Sequence, residues 1–382
     1  MPGPTVAGAT TPVVVHEVAQ LKGSWSLQPV PAPAKARSID LGAVSCPSAN
    51  TCSAVGSYTG TAGTAVAVAE DWNGVKWSVQ PTVSLTGVSS SQLSAVSCAA
   101  VAACMAVGQL EKVRSGSSPL AEKWDGSAWE LEATPVPSAS QYPQLSDLAG
   151  VSCWTASTCA AVGSFTDSSH RDQALAEHWD GARWSVQPIP SPAGTWYLEL
   201  NGISCSSASE CMAVGSVGTS PSAGPEDTLA ERWSGGAHWT VDSPLNPPNE
   251  IYRWLYGVSC LSAKSCFAVG ADEDSSGTYS MLSERWNGTG WSILSTPSPR
   301  SGGKFRALFA VSCPSFTTCT AVGYEQTPYG YSTVAERLDG TTWTVQPTPN
   351  PAGKAYTEFA GVDCVSMTSC TAVGSGVAEG YS

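Results

Sequence analysis

Charge is what this chain has least of. Only 13% of its 382 residues are Asp, Glu, Lys or Arg, with 18 basic against 31 acidic ones. The formal charge of -13 excludes nucleic acid as a partner, because phosphate backbones are held by a basic excess. Low charge together with 42% hydrophobic residues also excludes a chain kept disordered by self-repulsion. No apolar run reaches the roughly 18 residues that a membrane-crossing helix needs, so membrane insertion is not expected. Histidine is scarce, at four residues. No H-E-x-x-H pair, G-x-S-x-G elbow or phosphate-cradling glycine loop occurs, so the common hydrolase and nucleotide signatures are missing.

Cysteine and tryptophan, by contrast, are abundant at 14 and 15 residues, and both are periodic. The cysteines form seven pairs with five residues between partners: Cys46/Cys52, Cys98/Cys104, Cys153/Cys159, Cys205/Cys211, Cys260/Cys266, Cys313/Cys319 and Cys364/Cys370. Successive first cysteines lie 52, 55, 52, 55, 53 and 51 residues apart. Trp25, Trp77, Trp129, Trp184, Trp239, Trp291 and Trp343 march in step. A fixed period of this length marks a repeat architecture.

Each unit reads as four short strands. Alternating apolar and small residues surround the cysteines, and an A-E-x-W run follows. A turn such as Asp180-Gly181, a strong hairpin signal, then leads into W-x-V. Four antiparallel strands repeated seven times match an all-β fold, a closed seven-bladed β-propeller with one disulfide per blade. After Cys370 only 12 residues remain, whereas the chain opens with an orphan half-unit at 13–29 containing Glu17 and Trp25. The last blade is therefore expected to be closed by N-terminal strands, its two outer ones. Residues 1–12 are left as a tail, and 13–382 as a single domain. A Cys-x5-Cys hairpin brings two Cα atoms within disulfide reach, whereas structural zinc wants four ligands. Seven disulfides imply an oxidising compartment and hence secretion. The opening MPGPTVAGATT has neither the basic start nor the apolar core of a signal peptide, so a mature, monomeric form is expected.

Seven identical copies cannot make one asymmetric site, so function is sought where copies differ. The repeated Glu before the third-strand Trp (Glu70, Glu122, Glu177 and their kin) is expected to accept backbone or Trp N–H bonds. The loops between blades and between second and third strands share one face. Six residues before each first cysteine stand Asp40, Gln92, Asp147, Glu199, Trp254, Ala307 and Glu358. Blades four to seven add Trp196, Tyr197, Tyr252, Arg253, Phe305, Arg306 and Tyr356. Aromatic faces beside carboxylates and guanidinium groups suit a glycan or another extracellular ligand. Asp147, Glu199 and Glu358 are the candidates for general acid–base chemistry on a polysaccharide. A third reading is a structural cell-surface scaffold. Asp272-x-Asp274-x-Ser276-Gly277 spaces oxygens as calcium loops do, against the alternative of an acidic surface turn. No other cofactor is indicated. His170 is the one histidine in a candidate site loop, and His178 is expected to face solvent.

The S-C-x5-C-x-A-V-G…A-E-x-W-[DN]-G-x-x-W units resemble a repeat found in secreted bacterial β-propellers. That resemblance spans residues 13–382 and implies architecture and secretion, with no single activity. The S-x-D-x-G-x-T-W box of sialidase-like propellers and the His–Asp pattern of WD repeats are both missing.

Overall fold

The computed structural model describes residues 23–112, 116–135, 146–220, 226–236, 238–248, 250–297 and 303–382. These residues form seven four-stranded antiparallel sheets and no helix. Blade one consists of Ser38–Ser48, Thr51–Thr59, Ala65–Trp72 and Trp77–Gln80, paired in that order. Blades two to six repeat this plan. Packing is from blade to blade: Val55, Ala67 and Ala69 of blade one, for example, bury against Leu93, Val96 and Trp129 of blade two.

All 14 cysteines pair within their own blades, with Cα atoms 3.9–4.0 Å apart. The second cysteine of each bridge is turned toward the preceding blade and sealed there. Cys52 packs in one core with Val373, Cys104 with Val55, Cys159 with Val107 and Cys319 with Val269. The expected pairing is thus present, and Cys52, Cys104, Cys159 and Cys319 are at most 3% exposed.

Closure differs from the expectation in one respect. In the seventh blade the C-terminus supplies three strands, Phe359–Ser366, Ser369–Gly374 and Val377–Tyr381, and the N-terminus only the outermost, Trp25–Gln28. Val377-Ala378-Glu379-Gly380-Tyr381 is a degenerate A-E-x-W strand in which Tyr381 takes the tryptophan position, packed 5.4 Å from Trp25. Glu379, not Glu17, is the seventh member of the glutamate series; residues 1–22, including the expected tail, lie outside the described residues.

The serine of each S-C pair has a role that spacing alone did not show. Ser45 Oγ accepts the N–H of Cys98 in the next blade at 3.0 Å, and Ser97, Ser152, Ser204, Ser259 and Ser312 repeat the contact at 2.9–3.1 Å. The last contact uses a carboxylate: Asp363 accepts the N–H of Cys46 at 2.7 Å, and the hydroxyl of Ser312 at 3.2 Å. A belt of seven inter-blade hydrogen bonds thus encircles the channel, and its one acidic member sits where the chain ends meet.

The glutamate series behaves differently from expectation. All seven side chains are at most 1% exposed. Glu122 accepts the N–H of Val83 at 3.2 Å and Glu284 that of Leu245 at 3.0 Å. Glu70, Glu177, Glu231, Glu336 and Glu379 have no partner on either oxygen among the described residues. Val83 and Leu245 stand six residues after the preceding blade's fourth-strand Trp. At that place the other five linkers carry Pro31, Pro135, Pro190, Pro297 and Pro349, which have no N–H to give. Burial pushes those five carboxyls up to about 8, and the two bonded ones only to about 7. Nor do the fourth-strand tryptophans donate to them: Trp77 Nε1 reaches Gln28 and Trp343 Nε1 reaches Ser283.

Candidate functional site

The glycine of each A-V-G run positions the channel mouth. A methyl group on Gly56 would collide with the carbonyl oxygen of Asp40, and one on Gly215 with that of Glu199. Only glycine lets the first strand lie that close, and this fixes the residue six before each first cysteine at the mouth. Below it runs a channel cavity of about 170 Å³ whose wall includes Gly42, Ser94, Ala149, Asn201, Tyr256, Phe309 and Ala360, one from each blade.

At the mouth, blades five to seven carry aromatic rings in two chains. Tyr252, Trp254, Tyr279 and Phe305 follow one another at centroid separations of 5.8, 5.9 and 5.2 Å. Tyr256, Phe309, Tyr324, Tyr331 and Tyr356 do so at 5.3, 5.5, 5.0 and 5.7 Å. Tyr356 is 67% and Phe305 37% exposed. Trp254 stacks on both neighbours, with Tyr279 at 4° and Tyr252 at 22° to its plane. Tyr279, which in sequence reads only as part of an acidic loop, is the middle of this row. Acids and hydroxyls line the mouth as well, and blade seven contributes to both sets. Asp147 accepts the Ser164 hydroxyl at 2.8 Å, Glu199 that of Ser216 at 3.3 Å and Glu358 that of Ser375 at 3.3 Å. Each serine stands one residue beyond the glycine that made room for the acid.

Glu358 shares a cavity of about 280 Å³ with Asp40, Gln92, Ser57 and Ser375. Burial and then the nearby charge of Asp40 push its carboxyl up, against the Ser375 hydrogen bond. Asp147 is raised too, chiefly by burial. Neither Asp147 nor Glu199 lines that cavity, so the three expected acids do not form one cluster; the pair brought together is Asp40 with Glu358.

Other expected site residues are placed elsewhere. Arg253 is 8% exposed, its guanidinium 3.2 Å from Asp227 and donating to the carbonyls of Pro247 and Glu250. It fastens blade four to blade five beneath the rim. Trp196 lies under the guanidinium of Arg171, 5.5 Å from centroid to Cζ, away from the two aromatic chains. Tyr197 is half-buried at the start of its strand, and Arg306 donates to the Gly303 carbonyl at 2.7 Å. In the suspected calcium loop, Asp274 Oδ1 caps its own turn, accepting Ser276 N, Ser276 Oγ and Thr278 N at 2.7–3.0 Å. Asp272 points into the protein at 6% exposure, with its carboxyl pushed up to about 7 by burial and then by Glu250. No group of three or more metal-ligating side chains occurs among the described residues. His178 is not solvent-facing: it packs half-buried between Trp154 and Trp233, at 5.8 and 6.1 Å, where burial lowers its pKa. The third-strand tryptophans pack against their fourth-strand partners, at 5.7 Å in four blades.

No protein-family model matches the sequence, and no curated protein matches it. Solved structures share its architecture. They include the WD40 β-propeller domain of Doa1 at 9% identity and TM-score 0.58, covering 94% of this chain and 97% of that one. A polysaccharide lyase of family PL25, an ulvan lyase, gives 8% and 0.56, with coverage of 90% and 94%. YCF48 bound to a D1 peptide gives 14% and 0.54, with coverage of 93% and 97%. This chain is a seven-bladed β-propeller. At these identities the likeness shows the fold and nothing finer.

Proposed function

We propose that this propeller is a secreted, non-catalytic binding module that takes a glycan at the channel mouth. The observation that carries the reading is the mixed lining of the mouth, with aromatic rings on blades five to seven and the carboxylates of Asp147, Glu199 and Glu358, each bonded to a serine hydroxyl. Sugars present apolar C–H faces beside hydroxyls, and such a surface meets both. Seven disulfides and no free cysteine support an oxidising, extracellular setting. The fold itself does not choose, because it is shared with an ulvan lyase and with a peptide-bound propeller. A glycan array probed with the oxidised protein tests the reading. Saturable binding is expected, lost at least tenfold in Tyr356→Ala and Trp254→Ala, with no shortening of the bound glycan. Absence of any hit would sink it.

A second reading, extracellular cleavage of a polysaccharide, is favoured by the Asp40–Glu358 pair. Two carboxyls sharing a cavity, one of them raised, can divide acid and base roles. Turnover abolished by Glu358→Gln, with the melting temperature unchanged, would establish this reading in place of the first.

A further inference from the structure

In blades four, five and seven the side chain seven residues before the first cysteine turns sideways into the cleft against the preceding blade. In blade five it is Arg253, which fills the cleft between Asp227 and the carbonyl of Pro247. In blade four it is Leu198, 0% exposed and packed with Ala174 and Ile189. In blade seven it is Thr357, 1% exposed and held by Asn350 at 2.6 Å. In blade two the residue is Ser91, whose hydroxyl accepts the N–H of Ala67 at 3.0 Å, and blade three likewise carries a serine, Ser146. The blade-one counterparts of Asp227 and Pro247 are Val66, by strand register, and Leu85, by its distance from the fourth-strand Trp. Both line a cavity of about 430 Å³ that opens beside Ser91. The space that a guanidinium fills in blade five and a leucine in blade four is therefore open between blades one and two.

The chemistry of its walls narrows what fits. Tyr58, Val66, Leu85 and Val88 supply apolar surface, Gln80 and Ser90 supply polar groups, and no charged residue lines the cavity. A charged ligand would lose hydration there with no ion to replace it, and a wholly apolar one would leave the amide and hydroxyls unmatched. The volume falls within the roughly 300–1,000 Å³ of small-molecule sites. We propose that this inter-blade cleft is a second binding site, for a single uncharged pyranose unit, independent of the channel-mouth rim.

Titration calorimetry with methyl α-D-glucopyranoside, methyl α-D-galactopyranoside and methyl α-D-mannopyranoside tests it, with D-glucuronate and D-glucosamine as charged controls. At least one neutral glycoside should saturate a single site and bind tenfold or more tighter than either control. Ser91→Leu installs the residue that blade four already accommodates, and should abolish that binding. Gln80→Leu removes the amide from the wall at nearly constant shape, and should weaken it severalfold even if Ser91→Leu folds poorly. Trp254→Ala should leave it unchanged. No binding of any neutral glycoside, equal binding of the charged controls, or unaltered affinity in Ser91→Leu would overturn the proposal. Loss in Trp254→Ala alone would move the sugar to the rim, removing the cleft site and leaving the rim reading intact.

Discussion

Replacing Pro190 by alanine should make the protein more tolerant of alkali. Glu231 is buried without a partner and carries a carboxyl pushed up to about 8. The position that in blades one and four offers an N–H to the next glutamate is here Pro190. Alanine would restore that donor and bring Glu231 toward the value of about 7 found for Glu122 and Glu284. The folded value lies above the ordinary 4.5, so the folded state keeps a proton that the unfolded chain releases. The associated stability is full below about 4.5, falls as pH rises through the window to about 8, and is flat beyond it. In the variant the fall stops near 7, about one unit earlier, so roughly 1–2 kcal/mol less is lost. Removing proline costs about 0.4–1 kcal/mol through the unfolded chain, but at every pH. The quantity to measure is therefore the difference between the variant's effects at pH 9 and pH 5. At roughly 2.1 cal/mol/K per residue, it amounts to about 2 °C in Tm by calorimetry. Val83→Pro should do the reverse, raising Glu122 and deepening the alkaline loss. With no free cysteine, thiol exchange does not confuse the comparison. Identical effects of Pro190→Ala at both pH values, or an alkali-tolerant Val83→Pro, would refute the account.

Two further outcomes follow from the belt and the loop. Asp363→Ala leaves the N–H of Cys46 and the hydroxyl of Ser312 without their acceptor and should lower stability by about 3 kcal/mol or more. Asp363→Ser, which copies the other six blades, should recover part of that loss in thermal unfolding. Adding EDTA should leave the Tm unchanged within about 1 °C, because Asp274 is engaged with its own turn. A chelator-dependent fall would return the loop to the status of an ion site.

The ring was legible because cysteine and tryptophan recur at nearly constant spacing, and spacing survives when everything between drifts. The third strand of blade seven was not, because Tyr381 replaces the tryptophan and only Ser375 and Gly376 separate this strand from the one before it. Counting from the ends therefore assigned its place to residues near Glu17. Tyr252, Trp254 and Phe305 belong to one aromatic row, but sequence spacing does not tell a rim side chain from one turned into a cleft. Arg253 accordingly looks like a ligand group in sequence, although it lies one residue out of phase with Trp254 and Tyr252 and fastens two blades. The opening at Ser91 is visible only by comparison with what fills the same place in blades four and five. The partnerless glutamates needed both halves of an inter-blade pair, because the missing donor belongs to a proline 30 to 42 residues upstream.

Six serines and one aspartate make the inter-blade belt, and the odd member has a consequence for assembly. Six interchangeable acceptors give a folding chain no means of telling one neighbour from another. A ring closed with a blade missing, or completed by a blade borrowed from a second chain, would satisfy them equally well. Asp363 does not choose its neighbours either, because every other blade offers the same cysteine N–H and serine hydroxyl. Its two oxygens instead hold both at once, Oδ2 on the N–H of Cys46 and Oδ1 on the hydroxyl of Ser312. The contact that closes the ring is therefore anchored to the blades on both sides of it.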